Sequence, residues 1–455
     1  MVGGYGEPGA MAEGVELSAT RRRALRRRQA ATVLLLFGGY ASYYFCRADF
    51  SVAMPLLVAD LGRHGVSHGE AVVRLGAVYS FGVLAYALGK LFLCGLGDLW
   101  GGRRSFLVGL GGAVGFTLLF AAGGSLPIFT IAWIGNRLTQ SIGWAGLLKV
   151  CSRWFDFSTH GAIIGLLSLS YLIGDAVARQ WMGMLIAQGY DWPALFRFAA
   201  LVAGLMFLAN VLCLRNSRTE QGYAAAESNP LNLYSSAGEA PLRIRTLLGP
   251  LLRSRAFLLV CLLSFGCTVV RETFNIWTPV YLRDAVGYDA GRAASFSAVF
   301  PALGAVSVLA AGWLSDRIGV NGRPILLLGG LLATCLTLLG LMLLRLDLVP
   351  PVVAVILIGL VAFCLLGPYS YLGGAFALDF GGHRAGAVSS GIIDGIGYLG
   401  GALAGDSVAR ISVAFGWRGV FVSLAAVAAA SALAALSLFV HQRGVLARSK
   451  GNADV

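Results

Sequence analysis

Long apolar runs separated by short polar breaks dominate the chain. A helix that crosses a bilayer needs about 20 mostly apolar residues. Twelve runs meet that length, at 30–60, 71–96, 104–122, 125–152, 158–187, 193–214, 256–283, 291–314, 323–344, 350–379, 384–411 and 416–440. Alternating apolar–polar stretches of about ten residues, the mark of a membrane barrel, are absent from the sequence. The pattern therefore predicts an all-α membrane protein with twelve transmembrane helices. The first run follows two arginine triplets, Arg21–Arg23 and Arg26–Arg28, and contains Arg47. It is too long for a signal peptide and reads as a retained first helix. One polar stretch, 215–254, breaks the rhythm with Asn229-Pro230, Ser235-Ser236 and Pro241. It divides the chain into a tail over 1–29, a six-helix half over 30–214, a linker over 215–254, a second six-helix half over 255–441, and a tail over 442–455.

The halves repeat in sequence. Gly97-Asp98 after span 2 corresponds to Ser315-Asp316 after span 8, at an offset of 218. Gly174-Asp175-Ala176-Val177-Ala178-Arg179 in span 5 corresponds to Gly405-Asp406-Ser407-Val408-Ala409-Arg410 in span 11, at 231. Asp191-Trp192 matches Gly416-Trp417 at 225, and Arg47 matches Arg271 at 224. Four markers in one order at nearly one offset predict two pseudo-symmetric halves. Transporters built this way bind substrate near the midplane between the repeats.

Composition agrees with the membrane reading. Hydrophobic residues make up 57% and charged residues 13%. A soluble domain carries about 25% charged residues, so this chain is too poor in charge to cover a wet surface. The net charge of +13 raises the question of nucleic acid. The distribution of basic residues answers it. With the N-terminus inside, 21 Arg and Lys fall in cytoplasmic segments and about six in the opposite loops. Topology thus accounts for most of the excess, both termini are expected in the cytoplasm, and no nucleic-acid partner is expected. Eight cysteines without a CxxC pair and five scattered histidines predict no metal site and no disulfide framework. No nucleophile–base pair or nucleotide loop appears, so neither an enzyme nor a cofactor is expected.

The loop Gly97-Asp98-Leu99-Trp100-Gly101-Gly102-Arg103-Arg104 resembles the signature of the major facilitator superfamily. The block Gly39-Tyr40-Ala41-Ser42-Tyr43-Tyr44-Phe45-Cys46-Arg47-Ala48-Asp49-Phe50 resembles span 1 of its organophosphate:phosphate antiporters, the glycerol-3-phosphate and hexose-phosphate transporters. Val270-Arg271-Glu272 and Gly391-Ile392-Ile393-Asp394-Gly395 resemble spans 7 and 11 of the same family, and the likeness covers roughly residues 30–440. The resemblance implies the major facilitator fold, alternating access, and exchange of an organic phosphate for inorganic phosphate by a monomer in a bilayer. With no transit peptide in view, a bacterial inner membrane is expected. Two alternatives stay open: a proton-coupled carrier of another organic anion, and a sugar-phosphate sensor of the same fold.

Arg47 lies about 17 residues into span 1 and Arg271 about 15 into span 7, which puts both about 23–26 Å along their helices, near mid-membrane. An intramembrane arginine costs at least about 2.5–3.5 kcal/mol and needs a reason. Its planar fork binds phosphate bidentately. The resemblance assigns this pair to phosphate. Asp49 and Glu272 sit at neither i+3 nor i+4 from them, so local neutralisation is not expected. Lys90 and Tyr86 resemble the family's substrate-site lysine and tyrosine, and Lys is otherwise used only at 149 and 450. Tyr40, Tyr44 and Arg47 are spaced i, i+4, i+7, one helix face. With Tyr398 these tyrosines either line the cavity or pack. Tyr171 stands where glycerol-3-phosphate transporters carry a histidine, and Leu366 where they carry a tyrosine before Gly-Pro. Asp175 with Arg179, and Asp406 with Arg410, are expected either as exchangeable ion pairs across an outer gate or as local neutralisation. Asp98 and Asp316 are expected at the inner gate. Arg137 and the buried acid Asp394 are the candidates for proton coupling.

Overall fold

The structure is a computed structural model and describes residues 19–93, 100–156, 159–226, 249, 251–318 and 322–451. Among these the first half comprises α1 (Ala19–Arg63), α2 (His68–Phe92), α3 (Gly102–Ala122), α4 (Leu126–Gln140), α5 (Gly143–Trp154), α6 (His160–Ala187) and α7 (Trp192–Cys213). The second half comprises α8 (Arg255–Asp284), α9 (Ala290–Ser297), α10 (Val299–Ile318), α11 (Gly322–Leu343), α12 (Val352–Tyr371), α13 (Ala377–Gly401) and α14 (Leu403–Gly451).

Fourteen helices make twelve limbs because the chain breaks inside spans and bends between them. Span 4 is interrupted after Gln140, where α4 stops and α5 begins at Gly143. A Cβ on Gly143 would stand 2.7 Å from the Tyr43 hydroxyl, so the break lets this backbone close over that ring. Span 8 breaks at Ala298, because Pro301 cannot donate to the carbonyl four residues back. Spans 10 and 11 are joined through a π-turn, Leu372–Phe376, and α13. The chain folds back there. Ser390 Oγ donates to the Gly373 carbonyl at 2.5 Å, whereas 17 residues of straight helix would part them by about 26 Å. Spans 11 and 12 meet inside α14 at Gly416, whose φ of 67° is open to glycine alone at no steric cost.

By length and apolarity, eight stretches of described helix qualify as membrane spans, and one of them, Val388–Arg443, holds both limbs around Gly416. Helix α1, the α4–α5 pair and α6 are the remaining limbs; they carry many of the polar side chains described below. At the two ends, residues 19–29 of the expected tail are helical and form the start of α1, and α14 continues to Gly451. At 45 residues α1 is about 68 Å long, more than twice a bilayer core, so its arginine-rich start extends beyond the apolar layer. Gln29 Nε2 anchors it by donating to the Trp154 carbonyl at 3.1 Å.

Within the first half α1 packs on α6 and α7, and α3 on α4 and α7; within the second α8 packs on α13 and α14, and α10 on α12. The halves meet where α2 crosses α13 and α14, where α6 meets α9 and α10, and where α1 meets α8. Glycines allow the closest approach. A Cβ on Gly76 of α2 would lie 2.9 Å from the Gly405 carbonyl of α14, so the two backbones touch.

Candidate functional site

A cavity lies between the halves and is lined from both. Arg47, Tyr44, Arg137 and Tyr171 face it from the first half, and Arg271, Glu272, Asn275 and Tyr398 from the second. The internal repeat thus brings its two arginines to one space, as equal depth predicts.

The two arginines are held differently. The backbone of α1 leaves helical geometry at Cys46, with φ −81° and ψ 17°. This kink frees the Cys46 carbonyl, which accepts from Gln140 Nε2 at 3.4 Å. Arg47 Nε donates to Gln140 Oε1 at 2.5 Å, and Nη1 to the Tyr44 hydroxyl at 3.1 Å. Gln140 is itself steadied: its Nε2 donates to Asn136 Oδ1 at 2.7 Å, and Asn136 Nδ2 to Thr117 Oγ1 at 2.9 Å. A buried polar chain thus runs from α3 through α4 to Arg47. The guanidinium also lies over the Tyr44 and Tyr86 rings, at 4.7 and 4.5 Å. Among the described residues every one of these partners is neutral, so none of them compensates the Arg47 charge.

Arg271 has a charged partner. Its Nη2 donates to Glu272 Oε1 at 2.7 Å, and both side chains are buried. This corrects the expectation from spacing. Adjacent residues on a helix diverge by about 100°, yet the long Glu and Arg side chains curl back toward each other. Asp49 follows the expectation: its Oδ1 accepts from the Phe50 amide at 2.7 Å and its Oδ2 has no hydrogen-bond partner. Arg271 also lies over Tyr369 and Tyr398, at 4.8 and 5.2 Å. Its Nε, like that of Arg137, is buried without an acceptor. Trp133 Nε1 on the same cavity is a third such donor; buried donors are nearly always satisfied, so these three call for an acceptor at this site.

Tyr86 is the hub of the cationic side. Arg47, Arg137 and Lys90 lie 4.5, 4.9 and 5.8 Å from its ring centre, and Tyr398 packs edge-on at 4.7 Å. Lys90 Nζ meets Asp394 Oδ2 of the other half at 3.4 Å. Lys90 and Asp394 therefore stand beside the cavity as a pair and do not line it. Tyr40 is buried against Tyr43, Tyr44 and Trp144. It packs on the back of Tyr44, so the shared helix face does not bring it to the cavity.

The repeated Asp–Arg motifs are local pairs. Arg179 Nε donates to Asp175 Oδ1 and Arg410 Nε to Asp406 Oδ2, each at 2.8 Å within one helix. An i, i+4 carboxylate is simply nearer than one in the other half, so among the described residues no ion pair crosses the halves at these positions. Their fates then diverge. Arg179 is buried and reaches the other half through neutral acceptors, the Asn275 carbonyl at 2.8 Å and Ser297 Oγ at 3.2 Å. The Arg410 side chain is 66% exposed. Asp98, and the side chain of Asp316, lie outside the described residues.

Gln140, Tyr79, Ser51 and Asn275 were not singled out from the sequence, and Glu272 was set aside on spacing. Gln140 had a signal: Asn136, Arg137 and Gln140 are polar at i, i+1 and i+4 in an apolar span. Ser51 and Asn275 stand at the same 224-residue offset as the arginines.

With that geometry in hand, comparison with known proteins is specific. The sequence pattern of the Major Facilitator Superfamily matches residues 36–405. A probable hexose phosphate transport protein of Chlamydia trachomatis is 27% identical, across 89% of this chain and 88% of its own length. The glycerol-3-phosphate transporter of Bacillus subtilis is 24% identical across 85% and 87%. The membrane sensor protein UhpC of Escherichia coli is 26% identical across 87% and 88%. Among solved structures, a D-xylose–proton symporter superposes with a TM-score of 0.72 over 90% of this chain and 96% of its own. At 16% identity that match speaks for the fold alone.

Proposed function

The chain belongs to the Major Facilitator Superfamily, and from that premise we propose that it carries an organic phosphate ester across a membrane and exchanges it for inorganic phosphate. The observation that carries this reading is the Arg47–Arg271 pair, one from each half, on one cavity with orphan guanidinium donors. Relatives named for hexose phosphate and glycerol-3-phosphate support the substrate class. Phosphate is held between the two forks, with Tyr44, Tyr171 and Tyr398 around the organic moiety. Arg137, Lys90 and Tyr86 form the cationic wall behind it. Because one arginine belongs to each half, the anion joins the halves, and they rock about it to expose the site alternately. The arginine-rich face at which α1 begins is the cytoplasmic one, which puts both termini inside, and we place the protein in a bacterial inner membrane.

The experiment is counterflow in proteoliposomes loaded with inorganic phosphate. Wild type takes up labelled hexose phosphate or glycerol phosphate against it; Arg47→Ala and Arg271→Ala do not. Uptake that survives both substitutions sinks the reading. The UhpC relative, named as a sensor, keeps a second reading in view. A sensor binds the sugar phosphate in the same assay without moving it. Proton coupling through Arg137 and Asp394 is a third reading; Lys90 already engages Asp394, and uptake that follows an imposed pH gradient would favour it.

A further inference from the structure

Among the described residues the cations of the site divide in two. Lys90, Arg179 and Arg271 each meet a carboxylate of the chain: Asp394, Asp175 and Glu272. Arg47 and Arg137 form no such pair. Asp49, buried on α1, serves neither: its Oδ1 accepts from the Phe50 amide and its Oδ2 has no partner.

Arg47 is held by Gln140 and Tyr44 and belongs to the phosphate clamp. Arg137 is the charge left over. It lies on α4, lines the cavity, is 3% exposed, and has no acceptor at Nε. One helical turn before it, Trp133 lines the same cavity, is 1% exposed, and has no acceptor at Nε1. The guanidinium stands 5.8 Å from the Trp133 ring centre. Both side chains pack on one point of α2: a Cβ on Gly82 would run into Trp133 Nε1 and stand 3.0 Å from Arg137 Cγ. Glycine at that point leaves the room that this pair of donors fills. An arginine in an apolar span is costly, and so is a buried donor without an acceptor. A site that keeps both suits an acceptor brought by the ligand.

Charge decides what kind of acceptor. A phosphate monoester carries about −1.5 to −2 near neutral pH, which matches the two cations without a carboxylate. A second anionic group would enter the cavity with no cation left for it, and a buried unpaired charge is costly. The remaining donors therefore suit a neutral oxygen. Arg47 and Arg137 lie 4.5 and 4.9 Å from the same Tyr86 ring centre, so a hydroxyl a few bonds from the phosphate reaches Arg137 while Arg47 holds the phosphate. We infer that Arg137, with Trp133, forms a specificity subsite that takes a hydroxyl oxygen of the organic moiety. The cargo is then a phosphate monoester of a neutral, hydroxylated molecule.

This rests on the reading that Arg47 and Arg271 hold phosphate, and the test separates the two. Calorimetry on purified protein compares inorganic phosphate, propyl phosphate, glycerol 3-phosphate and 3-phosphoglycerate. The esters share a three-carbon skeleton and differ in hydroxyls and carboxylate. Wild type is expected to bind glycerol 3-phosphate about 10–100-fold more tightly than propyl phosphate, the gain from a hydrogen bond to a charged donor. It should bind glycerol 3-phosphate about tenfold or more tightly than 3-phosphoglycerate, whose extra charge is unmatched. Arg137→Met keeps the length of the side chain and removes its charge and donors. Loss of the charge weakens all phosphate ligands alike, so the ratio is the readout: the preference for glycerol 3-phosphate over propyl phosphate should fall to about threefold or less. Trp133→Phe keeps a ring and removes the N–H; it should lower the same ratio several-fold, and it carries the test if Arg137→Met does not assemble. A wild-type ratio in Arg137→Met, or in Trp133→Phe where that variant carries the test, overturns the inference. So does a wild type that binds inorganic phosphate without preferring glycerol 3-phosphate to the other two esters; the transport reading then stands. A wild type that binds none of the four overturns the phosphate reading, and this inference with it.

Discussion

Ser51 donates its hydroxyl to the backbone carbonyl of Asn275, 2.7 Å away, and the two stand at the offset that relates Arg47 to Arg271. Their helices, α1 and α8, therefore cross one turn beyond the arginines. Arg179 joins the same carbonyl at 2.8 Å. This knot closes the cavity toward the face at which α1 ends. The repeat thus supplies both the clamp and the seal above it.

Removing Arg179 should loosen that seal. The matched variant is Arg179→Ala with Asp175→Ala, which leaves no buried charge unpaired. Hydrogen bonds from a charged donor are worth about 1.5–3 kcal/mol each, so losing them shifts the population toward the opened state by about tenfold or more. Labelling of an Ala48→Cys reporter in the cavity, by an impermeant maleimide added at that face, should accelerate accordingly. Arg410→Ala should leave the labelling rate at its parent value, because the Arg410 side chain is exposed and pairs only within its own helix.

Lysine should not replace either clamp arginine. Arg47→Lys and Arg271→Lys keep the charge and lose the planar fork. Affinity for inorganic phosphate, read by calorimetry on purified protein, should fall about 10–100-fold, the equivalent of one or two charged hydrogen bonds.

Gln140 sets the pose of Arg47 without belonging to the clamp. Gln140→Leu should weaken phosphate binding about tenfold. It should also lower thermal stability, because Asn136 Oδ1 loses its donor. Adding Asn136→Leu should recover stability, since removing both partners of a buried bond is nearly neutral, while the affinity defect remains. A melting curve beside a binding isotherm separates the two effects.

The touching backbones at Gly76 and Gly405 should tolerate no side chain. Gly405→Val drives a branched side chain into the α2 backbone and Ser80. Overpacking of a tight contact costs about 1–3 kcal/mol, here charged to the conformation in which α2 and α14 meet. Exchange should drop about tenfold or more at unchanged expression, and Ala48→Cys labelling should rise as it does in the Arg179 variant.

Much of the fold was legible along the chain. Apolar run length marks the limbs, because a bilayer leaves a helix little choice of length or composition. The offset of 224 residues pairs Arg47 with Arg271 before any coordinates are known. What periodicity missed were the interruptions: the breaks after Gln140 and at Ala298, and the kink at Cys46. Those follow from which backbone must approach which ring or carbonyl, and hydropathy does not record that.

The site was legible in its cations and not in their partners. Arg47, Arg271, Lys90 and Arg137 stand out because charge in an apolar span is expensive. Spacing rules spoke against Glu272 as a partner for Arg271, and they proposed Tyr40 as a cavity residue. Both failed for one reason: spacing describes a straight helix surface, whereas these side chains bend toward whatever the other helices present. Sequence alone determined the membrane architecture, the internal repeat and the arginine from each half, since each follows from local composition and order. Only the tertiary structure decided how the charges are compensated: Lys90 meets Asp394 only once the two halves have packed, and the Tyr79 hydroxyl of the other half helps to hold Glu272 where it meets Arg271.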